Sequence, residues 1–208
     1  MHSRTLPIVG EQGLAKLQSS HVLVVGLGGV GGYAAEMLCR AGIGKLTLVD
    51  GDSVSVSNLN RQVIATRSSL GQSKAELFAN RFRDINPDSE VIPVVEFLRD
   101  ERMKELLMSA SFDFVVDAID SLSPKVFLLY HSFSLGLPIV SSMGSAGKLD
   151  PSKVFVDDIS KSYNCPLAAH VRKRLHRMGV FSGIQTVFSS EKSVAVESPM
   201  TCGAAVRG

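Results

Sequence analysis

The run Gly26-Leu27-Gly28-Gly29-Val30-Gly31 constrains this chain more than any other. It comes at the end of a nearly unbroken apolar stretch, His21 to Gly26, that reads as a buried strand. It opens a segment of helical period, Gly29 to Ala41, in which Tyr33, Met37, Leu38 and Ala41 are spaced for one face. A buried strand that turns into a helix through G-x-G-x-x-G is the opening unit of a doubly wound α/β sheet. Gly26 permits the tight bend, Gly28 leaves the backbone open to a phosphate, and Gly31 lets helix and strand pack closely. The free N–H groups and positive dipole of the helix start favour an anion there. Asp50 closes the next apolar strand, Lys45 to Asp50, 19 residues beyond Gly31, where a ribose-binding carboxylate belongs.

The chain keeps this rhythm. Strands are expected at Glu90–Val95, Phe112–Ala118 and Leu137–Ser141. Helices are expected at Gln72–Ile85, Asp100–Met108 and Ser123–Leu135, the first with Ala75, Phe78, Ala79, Phe82 and Ile85 on one side. Strict alternation implies parallel strands with right-handed crossovers. The nearly unbroken apolar strands imply a sheet covered on both faces. After Pro151 the pattern changes to short strands, Val154–Asp157, Gln185–Ser189 and Ser193–Glu197, around one basic helix. The expected fold is α/β, a Rossmann-like doubly wound, mainly parallel sheet. Residues 1–150 form its nucleotide-binding domain, and residues 151–208 a mixed α/β extension of the same domain.

Composition excludes several classes. At 208 residues and 45% hydrophobic, the chain buries a core without staples and is too apolar for disorder. No apolar run reaches the roughly 18 residues of a membrane helix. Three cysteines, Cys39, Cys165 and Cys202, are too few and too scattered for a disulfide framework or a zinc knuckle. Residues 1–13 lack the charged head and apolar core of a signal peptide, so the cytoplasm is the expected compartment.

Glycines and Asp50 suit NAD as well as ATP, and the residues beyond Asp50 separate the two. The chain continues with Asp52, then Asn58-Leu59-Asn60-Arg61-Gln62, then Lys74, and places Asp117-Ala118-Ile119-Asp120 at the end of the fourth strand. All lie at carboxyl ends of parallel strands or in the loops beyond, where open α/β sheets bind ligands. Arg61 and Lys74 supply charge suited to a triphosphate. Asp120 supplies a hard oxygen suited to Mg2+, or else caps the next helix.

GLGGVGG, LVDGDSVSVSNLNRQ, GQSKAE, INP and DAID together resemble the ubiquitin-activating-enzyme superfamily, whose bacterial members include MoeB and ThiF. The resemblance runs from about Leu14 to Gly147. It implies binding of ATP and Mg2+ and adenylation of a carboxylate. Gly28 and its neighbours Gly26, Gly29 and Gly31 would face the phosphates, and Asp50 the ribose. Asn58, Arg61 and Lys74 would face the phosphates and reaction centre, with Asp52 and Gln62 beside them, and Asp120 would hold the metal. Arg61, Lys74 and Asp120 are thus the implied catalytic set. MoeB and ThiF carry C-x-x-C zinc motifs, and this chain has none. It is more similar to the tRNA threonylcarbamoyladenosine dehydratase branch. The pointers are Gly10-Glu11-Gln12, Gly42-Ile43-Gly44, Pro124-Lys125, Gly144 to Gly147, Pro166-Leu167-Ala168-Ala169 and Val187 to Glu191. That branch activates a threonylcarbamoyl carboxylate on a tRNA adenosine and closes a ring. The resemblance also implies a homodimer, for some members a cysteine desulfurase or sulfur-acceptor partner, and a further apolar helix beyond Gly208.

One stretch favours a polyanion directly. Between Ile159 and Ser190 stand Lys161, Arg172, Lys173, Arg174 and Arg177 and no carboxylate, while the rest of the chain holds 17 basic and 20 acidic residues. Arg172, Lys173, Arg174 and Arg177 are therefore candidate tRNA-backbone contacts, the alternative being a solvated helix face. Cys165, at the start of that helix, is a candidate thiolate, and Cys39 a core residue. Three other functions compete: activation of a ubiquitin-like sulfur carrier, nicotinamide-dependent oxidoreduction, and nucleotide sensing without turnover.

Overall fold

The computed structural model describes residues 2–193. Seven strands form one sheet: β1 (His21–Val25), β2 (Lys45–Val49), β3 (Glu90–Val94), β4 (Phe114–Asp117), β5 (Ile139–Ser142), β6 (Val154–Asp158) and β7 (Gln185–Ser189). Their order is β3-β2-β1-β4-β5-β7-β6. Neighbours pair in parallel except β6, which runs antiparallel to β7 at the edge. The expected doubly wound, mainly parallel sheet is present. The order reverses between β1 and β4, and the crevice at their carboxyl ends lies there. The segment expected as a strand at Ser193–Glu197 lies, from residue 194 on, outside the described residues.

Alternation along β1 builds two cores. Val22 and Val24 face Leu46, Leu48, Phe78 and Phe82 on one side of the sheet. Leu23 and Val25 face Met103, Leu128, Val171 and Leu175 on the other. The first side is covered by α2 (Gly31–Ala41) and α3 (Lys74–Ile85), the second by α4 (Asp100–Met108), α5 (Leu122–Ser134) and α6 (Pro166–Arg177). Phe78 and Phe82 are fully buried on α3 at the expected spacing, each contributing about 1.5–3 kcal/mol.

Two local expectations are corrected. The helix after the glycines buries Gly31, Gly32, Ala35, Glu36 and Cys39, whereas Tyr33 and Met37 are about half exposed, at 49% and 55%. Small residues let α2 lie close to the sheet and α3, so Tyr33 and Met37 point away, while Leu38 packs partly against the core. A further helix, α1 (Leu6–Ser19), precedes β1, where the sequence pattern shows no element. It buries none of its residues and bends at Gly10, so it carries no periodic apolar stripe.

No helix among the described residues is long and apolar enough to cross a membrane.

Candidate nucleotide site

The glycines do what their spacing requires. Gly26 has φ +90°, a conformation an L side chain rarely adopts, and a Cβ there would meet the Ala118 carbonyl oxygen at 2.8 Å. A Cβ on Gly31 would stand 1.8 Å from the Gly26 oxygen. Both positions are fixed by protein packing. Gly28 differs: a Cβ there would meet only Gln62 Nε2, at 3.8 Å. The space over Gly28 is open, as a phosphate approaching the backbone would need. Above Gly29 lies the aliphatic stem of Arg61, whose Cγ would be 3.3 Å from an added Cβ.

The turn from Asn58 to Gln62 therefore sits against the glycine loop. Asn58 is buried in a short 3-10 turn, where its Oδ1 accepts from the Ser55 N–H at 3.0 Å. The Arg61 guanidinium is exposed and donates to the Ser57 carbonyl oxygen at 2.8 Å. Gln62 is buried, and its Oε1 has no partner among the described residues. An unsatisfied buried amide beside an open glycine is the mark expected of a site built for a polar ligand.

Asp50 ties the loop to β2. Its Oδ2 accepts from the Leu27 N–H at 2.7 Å and its Oδ1 from the Asp52 N–H at 2.8 Å. Burial pushes its carboxyl up from the usual range, opposed by those two N–H groups and by Lys74. Lys74 opens α3 and is only 4% exposed. Its Nζ lies 2.9 Å from Asp52 Oδ2, whose side chain is 56% exposed. Lys74 thus enters the site paired, with a partner free to swing into water.

Asp120 lies in the loop beyond β4, exposed and without a side-chain hydrogen bond among the described residues. The helix-cap alternative is not realised: Ser121 is the N-cap of α5, and its side chain makes no cap bond. A network to which the sequence pattern assigns no role holds this loop. Asp117 and Lys125 are fully buried and 2.8 Å apart. Lys125 Nζ also donates to the Ile119 carbonyl oxygen at 2.8 Å. Ser141 Oγ donates to Asp117 Oδ2 at 2.5 Å, and the Ile119 N–H to Asp117 Oδ1 at 3.0 Å. The network joins β4, β5 and α5 and, through Ile119, holds the residue before Asp120. Its sequence signal is an aspartate ending an otherwise apolar strand eight residues before a lysine.

The residues present fit a nucleoside triphosphate: an open glycine, a half-buried carboxylate at the end of β2 of the kind a ribose needs, and two cations held by weak or exposed partners. Among the described residues no three His, Cys, Asp or Glu groups converge on a metal. One free carboxylate, Asp120, matches the way Mg2+ is held mainly by phosphates and water.

The basic residues of α6 divide. Arg172 donates to the Ser162 carbonyl oxygen and hydroxyl, so it is committed to the protein. Arg174 donates to Ser123 Oγ at 3.0 Å, at the start of α5. Lys173 and Arg177 are exposed on the side away from the buried Ala168, Val171 and Leu175. Cys165 is buried, and its Sγ accepts from the Ala168 N–H at 3.4 Å as the helix N-cap, a structural task. Cys39 is core, its thiol pushed up to about 11 by burial. Cys202 lies outside the described residues.

The ThiF family model matches residues 2–204. The tRNA threonylcarbamoyladenosine dehydratase of Bacillus subtilis (strain 168) is 40% identical over 93% of this chain and 76% of that protein. The enzyme of the same name from Escherichia coli (strain K12) is 40% identical over 95% of this chain and 76% of that protein. The crystal structure of the E. coli enzyme, TcdA, in complex with ATP superposes with a TM-score of 0.89, covering 92% of this chain and 82% of that one. A chain matched along nearly its whole length by the family model, with relatives of this identity, belongs to the ThiF family.

Proposed function

We infer that this protein is an ATP-dependent tRNA threonylcarbamoyladenosine dehydratase, which activates the threonylcarbamoyl carboxylate and cyclises it. The similarity to TcdA in complex with ATP, 40% identical across 92% of the chain, carries this reading. A carboxylate is a poor electrophile, and transfer of AMP to it, with pyrophosphate leaving, supplies a good leaving group. The carbamoyl nitrogen of the same substituent then attacks and closes the ring. Because that nucleophile is tethered, the reaction gains high effective molarity. The protein has to neutralise charge and hold geometry rather than form a covalent bond.

The site residues share that work. Gly28 and the start of α2 receive phosphate oxygens, and Asp50 the ribose hydroxyls. Lys74 leaves Asp52 for the phosphates, and Arg61 swings from Ser57 to do the same, with Asn58 and Gln62 supplying amides. Mg2+, held through Asp120, would neutralise charge developing on the phosphates. The exposed cations Lys173 and Arg177 contact the tRNA backbone, with Arg174 beside them. The exposed apolar side chains Tyr33 and Met37 favour a homodimer. Residues 1–150 are taken as the ATP-binding domain and 151–208 as its extension, in a cytoplasmic enzyme. A desulfurase or sulfur-acceptor partner is retained from the family likeness alone. The absence of C-x-x-C weighs against a MoeB-type carrier activator.

Incubation with ATP, Mg2+ and tRNA bearing threonylcarbamoyladenosine, followed by nucleoside mass analysis, tests the reading. Loss of one water from the modified nucleoside is expected. An intact nucleoside, with ATP binding demonstrated, overturns it.

A further inference from the structure

Beside the nucleotide site, a cavity of about 490 Å3 opens at the carboxyl edge of the sheet, and none of the nucleotide-site residues lines it. It lies between Val30, at the start of α2, and the loop after β5, with the beginning of β6 and the end of β7 closing the far side. Met143, Leu149, Val154 and Phe188 give it apolar walls, and Ser142, Ser145 and Ser189 a polar rim. The volume lies within the range of small-molecule sites, roughly 300–1,000 Å3, and mixed walls of this kind are what such sites use.

One wall is heavily bonded. The Lys148 ammonium, which also lines the cavity, donates to three backbone carbonyl oxygens: Asn164 at 3.0 Å, Ser189 at 2.9 Å and Glu191 at 2.6 Å. Glu191 answers with its carboxylate, Oε2 accepting from the N–H groups of Leu149 at 2.9 Å and Asp150 at 3.0 Å. Asn164 itself sits in the left-handed region, φ +53°, and its amide donates to the Ser190 carbonyl oxygen at 2.7 Å. The clamp joins the β5 loop, the segment before α6 and the end of β7. An ammonium satisfied by three carbonyls is not a free cation for a ligand. Its effect is to fix the loop that shapes the cavity. Charge-assisted bonds are the strong ones, so the wall is held rigid.

Resting on the dehydratase reading, we propose that this cavity receives the N6-acylated adenine of the substrate, with Lys148 and Glu191 as positioning residues. The glycine loop and the cavity meet at Val30, so a nucleoside seated here presents its substituent toward the phosphates bound over Gly28. The apolar walls suit a purine face, and the serines suit the polar substituent. Phosphate contacts on α6 carry no base information. Selection of the modified base therefore belongs to a pocket of this kind.

Val154 is the position to perturb, because it is half exposed and on the edge strand, where a larger aromatic residue is tolerated. Val154→Trp fills the cavity from its rim. The probe is free N6-threonylcarbamoyladenosine, titrated into the full chain by calorimetry, with ATP and unmodified tRNA titrated separately. The nucleoside is expected to lose at least tenfold in affinity, while ATP and unmodified tRNA bind as to the parent protein. Unchanged nucleoside affinity in Val154→Trp overturns the proposal. Lys148→Ala is the second variant. It should weaken the nucleoside at least tenfold and recover affinity on addition of n-propylammonium, which replaces the missing ammonium. A folded Lys148→Ala protein that binds the nucleoside normally overturns the clamp. A parent protein that binds the nucleoside in the cavity yet forms no cyclic product refutes the dehydratase reading and leaves the cavity assignment standing.

Discussion

Adding one methyl group at Gly28 and at Gly31 separates ligand binding from folding. At Gly31 the new Cβ would stand 1.8 Å from the Gly26 oxygen and 2.8 Å from the Ala118 Cβ. Backbone cannot rotate aside, so the start of α2 must lift from the sheet. Overpacking costs about 1–3 kcal/mol, and a backbone clash belongs at the upper end. For a chain of this size, about 3 kcal/mol lowers Tm by roughly 6–12 °C. At Gly28 the same methyl meets only Gln62 Nε2 at 3.8 Å, and φ is outside the left-handed region. Stability should hold or rise by up to about 1 kcal/mol, since alanine restricts the unfolded chain. The methyl nevertheless occupies the phosphate's approach. Losing one hydrogen bond to a charged group costs about 1.5–3 kcal/mol, or roughly a 10- to 150-fold loss of ATP affinity. Thermal unfolding and calorimetric titration of ATP on both variants check this. A Gly28→Ala protein that binds ATP within about threefold of the parent would refute the placement of phosphate on this loop.

Other perturbations act on single contacts. Lys125→Met strands the buried Asp117 carboxylate and should cost about 3–5 kcal/mol, read as a lower urea midpoint at unchanged slope. Asp120→Asn should abolish cyclisation with no change in Tm, because the side chain is exposed; full turnover would remove it from the metal role. Arg177→Ala should weaken tRNA binding and reduce its salt slope by about 1, whereas Arg172→Ala should act on stability through Ser162. Hydrogen bonds from Arg81 and Arg40 hold the Glu36 carboxyl below its usual range. A depressed pKa gives stability above the unfolded value that is lost as pH falls through the folded one. The loss of stability from pH 7 to pH 3, measured by urea unfolding, should therefore be steeper for the parent than for Glu36→Gln.

Local chemistry decides what is legible in the sequence. Gly26 and Gly31 announce the turn because no other residue fits so close to backbone, and Phe78 and Phe82 announce α3 because their spacing matches its buried face. The stripe of Tyr33 and Met37 misleads about the orientation of α2, since an apolar stripe marks the core only when packing is by large residues, and here glycine and alanine do it. Helix α1 has no fully buried residue and sets only Leu17 partly against the core, so it leaves no stripe to read. The Lys148 clamp is illegible for a different reason. Its partners are carbonyl oxygens 16 to 43 residues away, and backbone atoms have no sequence signature.

The charges of the proposed nucleotide site differ in how firmly their partners are held. A lysine at 4% exposure would be costly to bury unpaired, and Asp52 satisfies it at 2.9 Å. Asp52 is itself more than half exposed, so releasing it to water costs little. Among the described residues Arg61 is likewise held by a carbonyl and a neighbouring amide oxygen. In the proposed function, a triphosphate takes Lys74 and Arg61 from solvent-exposed partners without unpairing any fully buried charge. The contrast is Lys125, sealed with Asp117 at zero exposure, where no ligand can compete. Two lysine–aspartate pairs of nearly equal length thus differ in accessibility: Asp52 can be released to water and Asp117 cannot. Replacing Asp52 with Asn weakens the competitor without adding a charge, so ATP should bind more tightly to Asp52→Asn than to the parent. Weaker binding in that variant would mean that Asp52 contacts the nucleotide or its metal directly.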